Sequence, residues 1–324
     1  MVRGKTVNGL MRHLRDTHSI EINGSKNKKD LLNMGYYHGF KGYRFIGQSE
    51  NKISYTKFDE VVAVYQFDSN LKTIFYPNIM FIETAIKNYT LNTLINLGPV
   101  DFEHVFTNLL NDYKSENTGN SKYRDKMKKR LELRNKINEA ISYNYSDKVP
   151  VIQHFFHTNQ QMPLWAIFEV INLGVFGFFL QCLNIDTRIK ITEDLNLHTT
   201  SHNQNGRIVE DIIFLIKELR NAVAHNSVVF DCRFKKTNPP SRLKEYLQSE
   251  TNIDNINFDN IIDYFILVIF LLKKLGVTKT ELKKIIKNFH NESEQLRDGI
   301  PVPIHTSIMG SDFKKKINKL SNYI

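Results

Sequence analysis

Arg220 and His225 stand five positions apart in the run Arg220-Asn221-Ala222-Val223-Ala224-His225-Asn226, and no metal-ligand cluster lies nearby in the sequence. Arginine holds a fixed charge on a planar fork suited to phosphate, whereas histidine changes protonation near neutral pH. RNA carries its own nucleophile, the 2′-hydroxyl. Cleaving it takes a base for that proton, a cation for the charge growing on phosphorus, and an acid for the departing 5′-oxygen. His225 suits base or acid and Arg220 suits the phosphate, while Asn221 can orient either by hydrogen bonding.

The spacing alone is weak. With 13 arginines and 11 histidines in 324 positions, chance supplies 13 × 11/324, about 0.4 such pairs. Its setting is stronger, because Ile208, Ile212, Leu215, Ile216, Leu219 and Val223 form an apolar stripe over 207–225 that predicts an amphipathic helix ending at the motif. Five helical residues turn the chain by about 500°, which leaves Arg220 and His225 roughly 140° apart. Either the helix loosens near Asn226, or two copies of the chain combine their half-sites in a homodimer. A purely structural role stays open, with Arg220 paired to Glu218 or Asp211 and His225 capping the helix C-terminus.

The elements that must position this motif read as helices throughout. Helical patterning appears over 7–17 and 28–34, the latter closed by Gly35, and the Gly- and aromatic-rich stretch 36–45 reads as a packed loop. Thr56-Lys57-Phe58-Asp59 resembles a capping box with Asp for Glu, opening a long helix that should bend at Pro77 and reach Gly98. Asp101 is expected to cap a helix to about Leu110, and 115–122 to form a linker. Trp165 to Leu183, Phe258 to Leu275 and Lys279 to Phe289 complete the set, with Gly174 and Gly177 permitting close helix approach. No period-2 run is sustained, so the fold class is all-α. The expected organisation is an N-terminal accessory part (1–55), a helical body (56–290) and a short helical or mobile C-terminal tail (291–324).

A formal charge of +10 and a pI near 9.3 favour a polyanionic partner, although a Lys- and Asn-rich composition also follows from AT-rich coding. The cations concentrate at Lys122, Arg124, Lys126, Lys128, Lys129, Arg130 and Arg134, with Lys136 just beyond. They form either a solvated face or an RNA-tracking surface. Lys41 and Arg44, among tyrosines, could likewise contact unpaired RNA, or that segment simply packs onto the body.

Other chemistries find little support. His154 with His157, and His198 with His202, have helical metal-ligand spacing without the carboxylates or cysteines that complete a site. Walker loops, HExxH and the nucleophile elbow are absent, so no metal or cofactor is expected. Cys182 and Cys232 alone, with no secretory leader, point to a reducing cytoplasm. Residues 164–183 carry Glu169, Asn172 and Gln181, and 265–272 is only eight residues long, so neither is expected to cross a membrane.

The motif in its Arg-Asn-x-x-Ala-His form resembles the Arg-x4–6-His motif of HEPN ribonucleases. Leu32-Asn33-Met34-Gly35-Tyr36-Tyr37 through Gly42-Tyr43, Val64 to Leu71, Ile82-Glu83-Thr84, and Met162-Pro163-Leu164-Trp165 resemble, in order, the Abi-like abortive-infection family, the AbiD and AbiF group. The likeness runs from about residue 7 to about residue 290. It implies a HEPN-type helical bundle with additional N- and C-terminal helices, phage defence, and RNA as target or structured partner. The chain departs from that pattern twice. Tyr36-Tyr37 is followed by His38 instead of Arg, and Ser227 by Val228 instead of the relatives' Arg. The expected function is therefore a metal-independent endoribonuclease, and the rival is a non-catalytic protein that holds a structured noncoding RNA.

Overall fold

A computed structural model describes residues 4–324, so residues 1–3 of the N-terminal part fall outside it. Among the described residues fifteen α-helices follow one another, and extended pairing is confined to three isolated bridges. The protein is all-α. In chain order the helices are α1 (Val7–His18), α2 (Gly24–Met34), a π-helix (Gly35–Lys41), α3 (Phe58–Leu97), α4 (Phe102–Asn108), a 3₁₀ turn (Asp112–Ser115), α5 (Ser121–Ser146) and α6 (Pro150–His157). Next come α7 (Leu164–Val170), α8 (Leu173–Cys182), α9 (Ile185–Asp194), α10 (Ile208–Ala224), α11 (Ser241–Thr251), α12 (Ile261–Lys274), α13 (Lys279–Gly299), α14 (Val302–Met309) and α15 (Phe313–Tyr323).

The chain divides into two compact units. The first comprises Met1–Ile79, Glu218–Asn238 and Leu247–Ile324; the second comprises Met80–Lys217 and Pro239–Tyr246. One change of unit falls inside α3, two residues after Pro77, and another inside α10.

The core of the first unit is α12, in which every residue from Ile261 to Leu272 is buried. Such all-round burial needs partners on every side. Phe265 stacks on Phe289 of α13 at 3.9 Å between centroids, and Phe289 meets Phe313 of α15 at 6.2 Å. Lys316 of α15 is itself buried and reaches the fully buried Asp263 at 2.8 Å, so the chain after 291 is packed helix and not a mobile tail. Its helical α14 and α15 account for that packing.

In the second unit Phe168, Phe176 and Phe179 cluster with centroids 5.1–6.5 Å apart. The expected continuous helix over 165–183 is two helices, because Asn172 turns outward at φ −72°, ψ 164° and its side chain caps Val175 N–H. A Cβ on Gly177 would lie 2.9 Å from the Phe214 ring, which explains the glycine there, and one on Gly174 would lie 3.1 Å from Asn172 Oδ1 and 3.4 Å from Lys217 Cδ on α10. A buried carboxylate, Asp112, is held by Arg188 at 2.8 Å, Lys126 at 3.1 Å and Arg207 at 3.4 Å.

Two local expectations need correction. The capping residue of α3 is Glu60, which accepts from Thr56 N and Oγ1 and Lys57 N, while Asp59 accepts from Lys26 and Asn27. The stretch expected as a packed loop opens as the π-helix, whose wider turn is closed by Gly39. A Cβ there would sit 2.7–2.9 Å from Met34 atoms.

Candidate functional site

The end of α10 is built as a hydrogen-bonded helix stop. His225 N–H donates to Asn221 O at 3.0 Å, so the helix stays regular through His225. Asn226 then turns left-handed at φ 52°, Asn226 N–H bonds Val223 O at 3.2 Å, and Ser227 N–H bonds Ala222 O at 2.8 Å. This is the paired Schellman closure, and Asn is one of few residues that accept the conformation cheaply. The helix thus leaves its regular path at Asn226, as one of the two readings expected, while the backbone hydrogen bonds from Arg220 to His225 keep the spacing that in an ideal helix sets the two residues roughly 140° apart.

Burial separates the motif into faces. Ala222 and Val223 are buried, Arg220 is half-buried, and Asn221, Ala224, His225 and Asn226 are exposed. Asn221 Oδ1 lies 3.5 Å from Arg220 Nη1. Asn221 and His225, four residues apart, share one face of the last turn. Nearby, Asp211 pairs with Arg242 and Glu218 accepts Lys236 N–H at 3.0 Å.

The chain after α10 is clamped to the rest of its unit by two carboxylates. Asp68 of α3 is fully buried and accepts Val229 N–H and Phe230 N–H at 2.7 Å each, Tyr43 OH at 2.7 Å and Lys72 Nζ at 2.8 Å. Burial first, and then the Asp68 charge, push the Tyr43 phenol far above its ordinary range, so it remains a neutral donor. Asp231 accepts Gly47 N–H at 2.7 Å and pairs with Arg233, which also donates to Gly42 O and Phe45 O. Val228 is buried, and a Cβ on Gly42 would touch it at 3.6 Å.

These clamps bring a third group to the motif. Lys72 Nζ donates to Asn226 Oδ1 at 2.8 Å, and Asn226 Nδ2 lies 3.5 Å from His38 Nε2 on the π-helix. His38, Lys72, Asp68 and Asn226 were not assigned site roles from sequence. Lys72 follows Asp68 by four residues on α3, a spacing that is legible. Nothing local in the sequence announces that Asn226 meets them.

The remaining candidates fall in two places. Lys41 lies over the Tyr36 ring at 5.7 Å, and Arg44 is half-buried, in a segment where Tyr43 and Phe40 are core residues and Tyr37 is 83% exposed. Burial, then His13, Arg44, Lys41 and Lys52, lower the His18 pKa. On α5, Lys122, Arg124, Lys128 and Lys129 are exposed. Lys126 is bound to Asp112 and Glu116, Arg130 donates to Leu110 O and Phe106 O, and Arg134 pairs with Glu103, so these three work partly as packing groups. Arg130 also covers the Phe106 ring at 3.8 Å.

His157 meets Tyr145 OH at 3.3 Å and His198 meets Asn203 at 3.3 Å. Among the described residues no group of three or more His, Cys, Asp or Glu is placed to hold a metal ion, and no helix is long and apolar enough to cross a membrane. Cys182 and Cys232 are buried free thiols, and burial pushes Cys182 up to about 12.

Among known proteins, the family model described as Abi-like protein matches residues 29–231, more than half of the chain, a span that includes the π-helix, α3 and the end of α10. No curated protein and no solved structure matches.

Proposed function

The chain belongs to the Abi-like family, and within that abortive-infection setting we propose that it is an RNA-directed endoribonuclease of HEPN type that cleaves without a metal. The carrying observation is the end of α10, where His225 and Asn221 stand exposed on one face of a regular, capped turn with Arg220 half-buried beside them. A 2′-hydroxyl of bound RNA attacks its own phosphorus; the new bond is O2′–P and the broken one P–O5′. His225 carries a proton to or from the reacting oxygens, Arg220 faces the charge on the phosphoryl oxygens, and Asn221 orients phosphate or imidazole. Products end in 2′,3′-cyclic phosphate and 5′-hydroxyl.

The splay of Arg220 from His225 makes one copy a half-site, so the active form is a homodimer in which each cleft draws on both motifs. The exposed cations of α5 supply the sequence-independent grip on RNA. Purified protein should cleave single-stranded RNA in the presence of a chelator. His225→Ala should slow cleavage by about 10²–10⁴, the usual contribution of a proton-transfer group, with RNA affinity retained. Cleavage only with added divalent metal, or a fully active His225→Ala variant, refutes the mechanism. If His225→Ala abolishes binding and the parent never cleaves, the chain is a non-catalytic RNA holder.

A further inference from the structure

Where His38, Lys72 and Asn226 meet, three groups able to donate hydrogen bonds converge beside the motif histidine. Lys72 is largely buried, and its charge is already tied to Asp68 at 2.8 Å. Its remaining function in the cluster is to hold Asn226 Oδ1 at 2.8 Å. Because an ammonium only donates, that bond fixes the Asn226 amide with its oxygen toward Lys72 and its Nδ2 toward His38. Asn226 Nδ2 and His38 Nε2 then face each other across 3.5 Å. A neutral imidazole can accept weakly from the amide. An imidazolium cannot, because both atoms then carry hydrogens.

We infer that His38 and Asn226, braced by Lys72, form an anion subsite for an RNA phosphate next to the one placed at His225, and that His38 grips it as imidazolium. An oxygen set against the gap accepts from Nε2–H and Nδ2–H together, which turns two opposed donors into a pair. Both side chains are exposed, so a phosphate can reach them without rearrangement of the fold. Asn226 ties His38 to the Lys72–Asp68 pair of α3 and follows His225 in the chain, and Lys41 and Tyr37 lie on the same π-helix as His38. An imidazolium at His38 adds a positive charge to the site. The inference rests on the RNA reading above for its ligand but not for its geometry.

The subsite is tested with a single-stranded 2′-O-methyl RNA, which lacks the nucleophile, bound to the full chain at pH 5.5 and pH 8. His38→Gln should bind about three- to tenfold more weakly than the parent at pH 5.5, and the two should converge at pH 8. With one fewer phosphate neutralised on a single strand, the salt slope of the variant should fall by about 0.7, again only at the acid pH. His38→Arg, a permanent cation, should keep the acid-pH affinity at pH 8. In parallel, inorganic phosphate titrated into the parent at pH 6 should move the His38 ring resonances, and less so in Asn226→Ala. If the parent binds RNA while His38→Gln is indistinguishable at both pH values and phosphate leaves His38 unmoved, the subsite is wrong and the RNA reading stands. If the parent binds no RNA but phosphate still moves His38, the RNA reading falls and the anion subsite survives.

Discussion

Replacing Asp68 by Asn tests whether one buried carboxylate holds the motif's surroundings together. Asp68 receives four donors: two backbone amides at Oδ1, and Tyr43 OH and Lys72 Nζ at Oδ2. In Asp68→Asn the Oδ1 hydrogen bonds survive, but an NH₂ group replaces Oδ2 and faces two donors. Tyr43 can rotate its hydroxyl and accept; Lys72 cannot. Removing one partner of a buried ion pair costs about 3–5 kcal/mol, and the 12% exposure of the Lys72 side chain places this one near the lower end, about 3 kcal/mol. Asp68→Ala also orphans Val229 N–H and Phe230 N–H, each worth about 1–3 kcal/mol, so it should exceed the Asn variant by at least about 2 kcal/mol. Adding Lys72→Met to Asp68→Asn removes the uncompensated ammonium and should return about half of the loss, a coupling above about 1 kcal/mol. Urea denaturation measures these differences, and amide hydrogen exchange locates them: Val229 and Phe230 stay protected in the Asn variant and lose protection in the Ala variant. An Asp68→Asn protein within about 0.5 kcal/mol of the parent, or additive effects of Asp68→Asn and Lys72→Met, refutes the hub.

Lys316→Met should lower stability by about 2–4 kcal/mol at pH 7, since Asp263 is then left buried with only Asn257 N–H and Phe258 N–H as donors. Burial already raises the Asp263 pKa, and losing Lys316 raises it further, so the deficit measured by thermal unfolding should shrink from pH 7 to pH 5 as the carboxyl protonates; a deficit that is constant or grows contradicts the assignment. Burial lowers the His305 pKa, so the unfolded chain takes up the proton first and the contribution of His305, present above about pH 6.5, is lost as pH falls through its folded value. The melting temperature should therefore drop on acidification through this range, and His305→Gln should flatten the drop; an unchanged pH profile in that variant removes His305 as the cause.

Helices were legible wherever one face decides burial. The stripe Ile208, Ile212, Leu215, Ile216, Leu219 and Val223 is buried throughout, and Asp101 caps α4 through His104 N–H as its position suggests. The sequence misled where two readings compete within a few residues. Thr56 has acidic residues three and four positions on, and Asp59 is drawn off by Lys26 and Asn27, leaving Glu60 for the cap. In 165–183 apolar residues flank the break, at Ile171 and Leu173, and only the capping preference of Asn172 between them marks it. The π-helix was hidden for another reason: its glycines suggest a loop, whereas Gly39 is there because a wide turn brings Met34 too close for a side chain.

The candidate site was half legible for a related reason. Arg220, Asn221 and His225 are local in sequence, so their types and spacing expose them, and the same helical arithmetic that places them also separates Arg220 from His225. His38 and Asn226 are 188 residues apart, and Asp68 and Val229 are 161 apart. Their meeting depends on a carboxylate satisfying two backbone amides just beyond a helix stop, and no periodicity records that requirement. Two positions that depart from the expected pattern at the level of sequence, His38 and Val228, turn out to have different physical standing. Val228 is buried next to Gly42, in the stretch that Asp68 clamps, and contributes packing there. His38 stays exposed beside an amide fixed by Lys72, so an anion can reach it without unpacking the fold, and a permanent cation at position 38 is the substitution that tests whether charge there is what grips RNA.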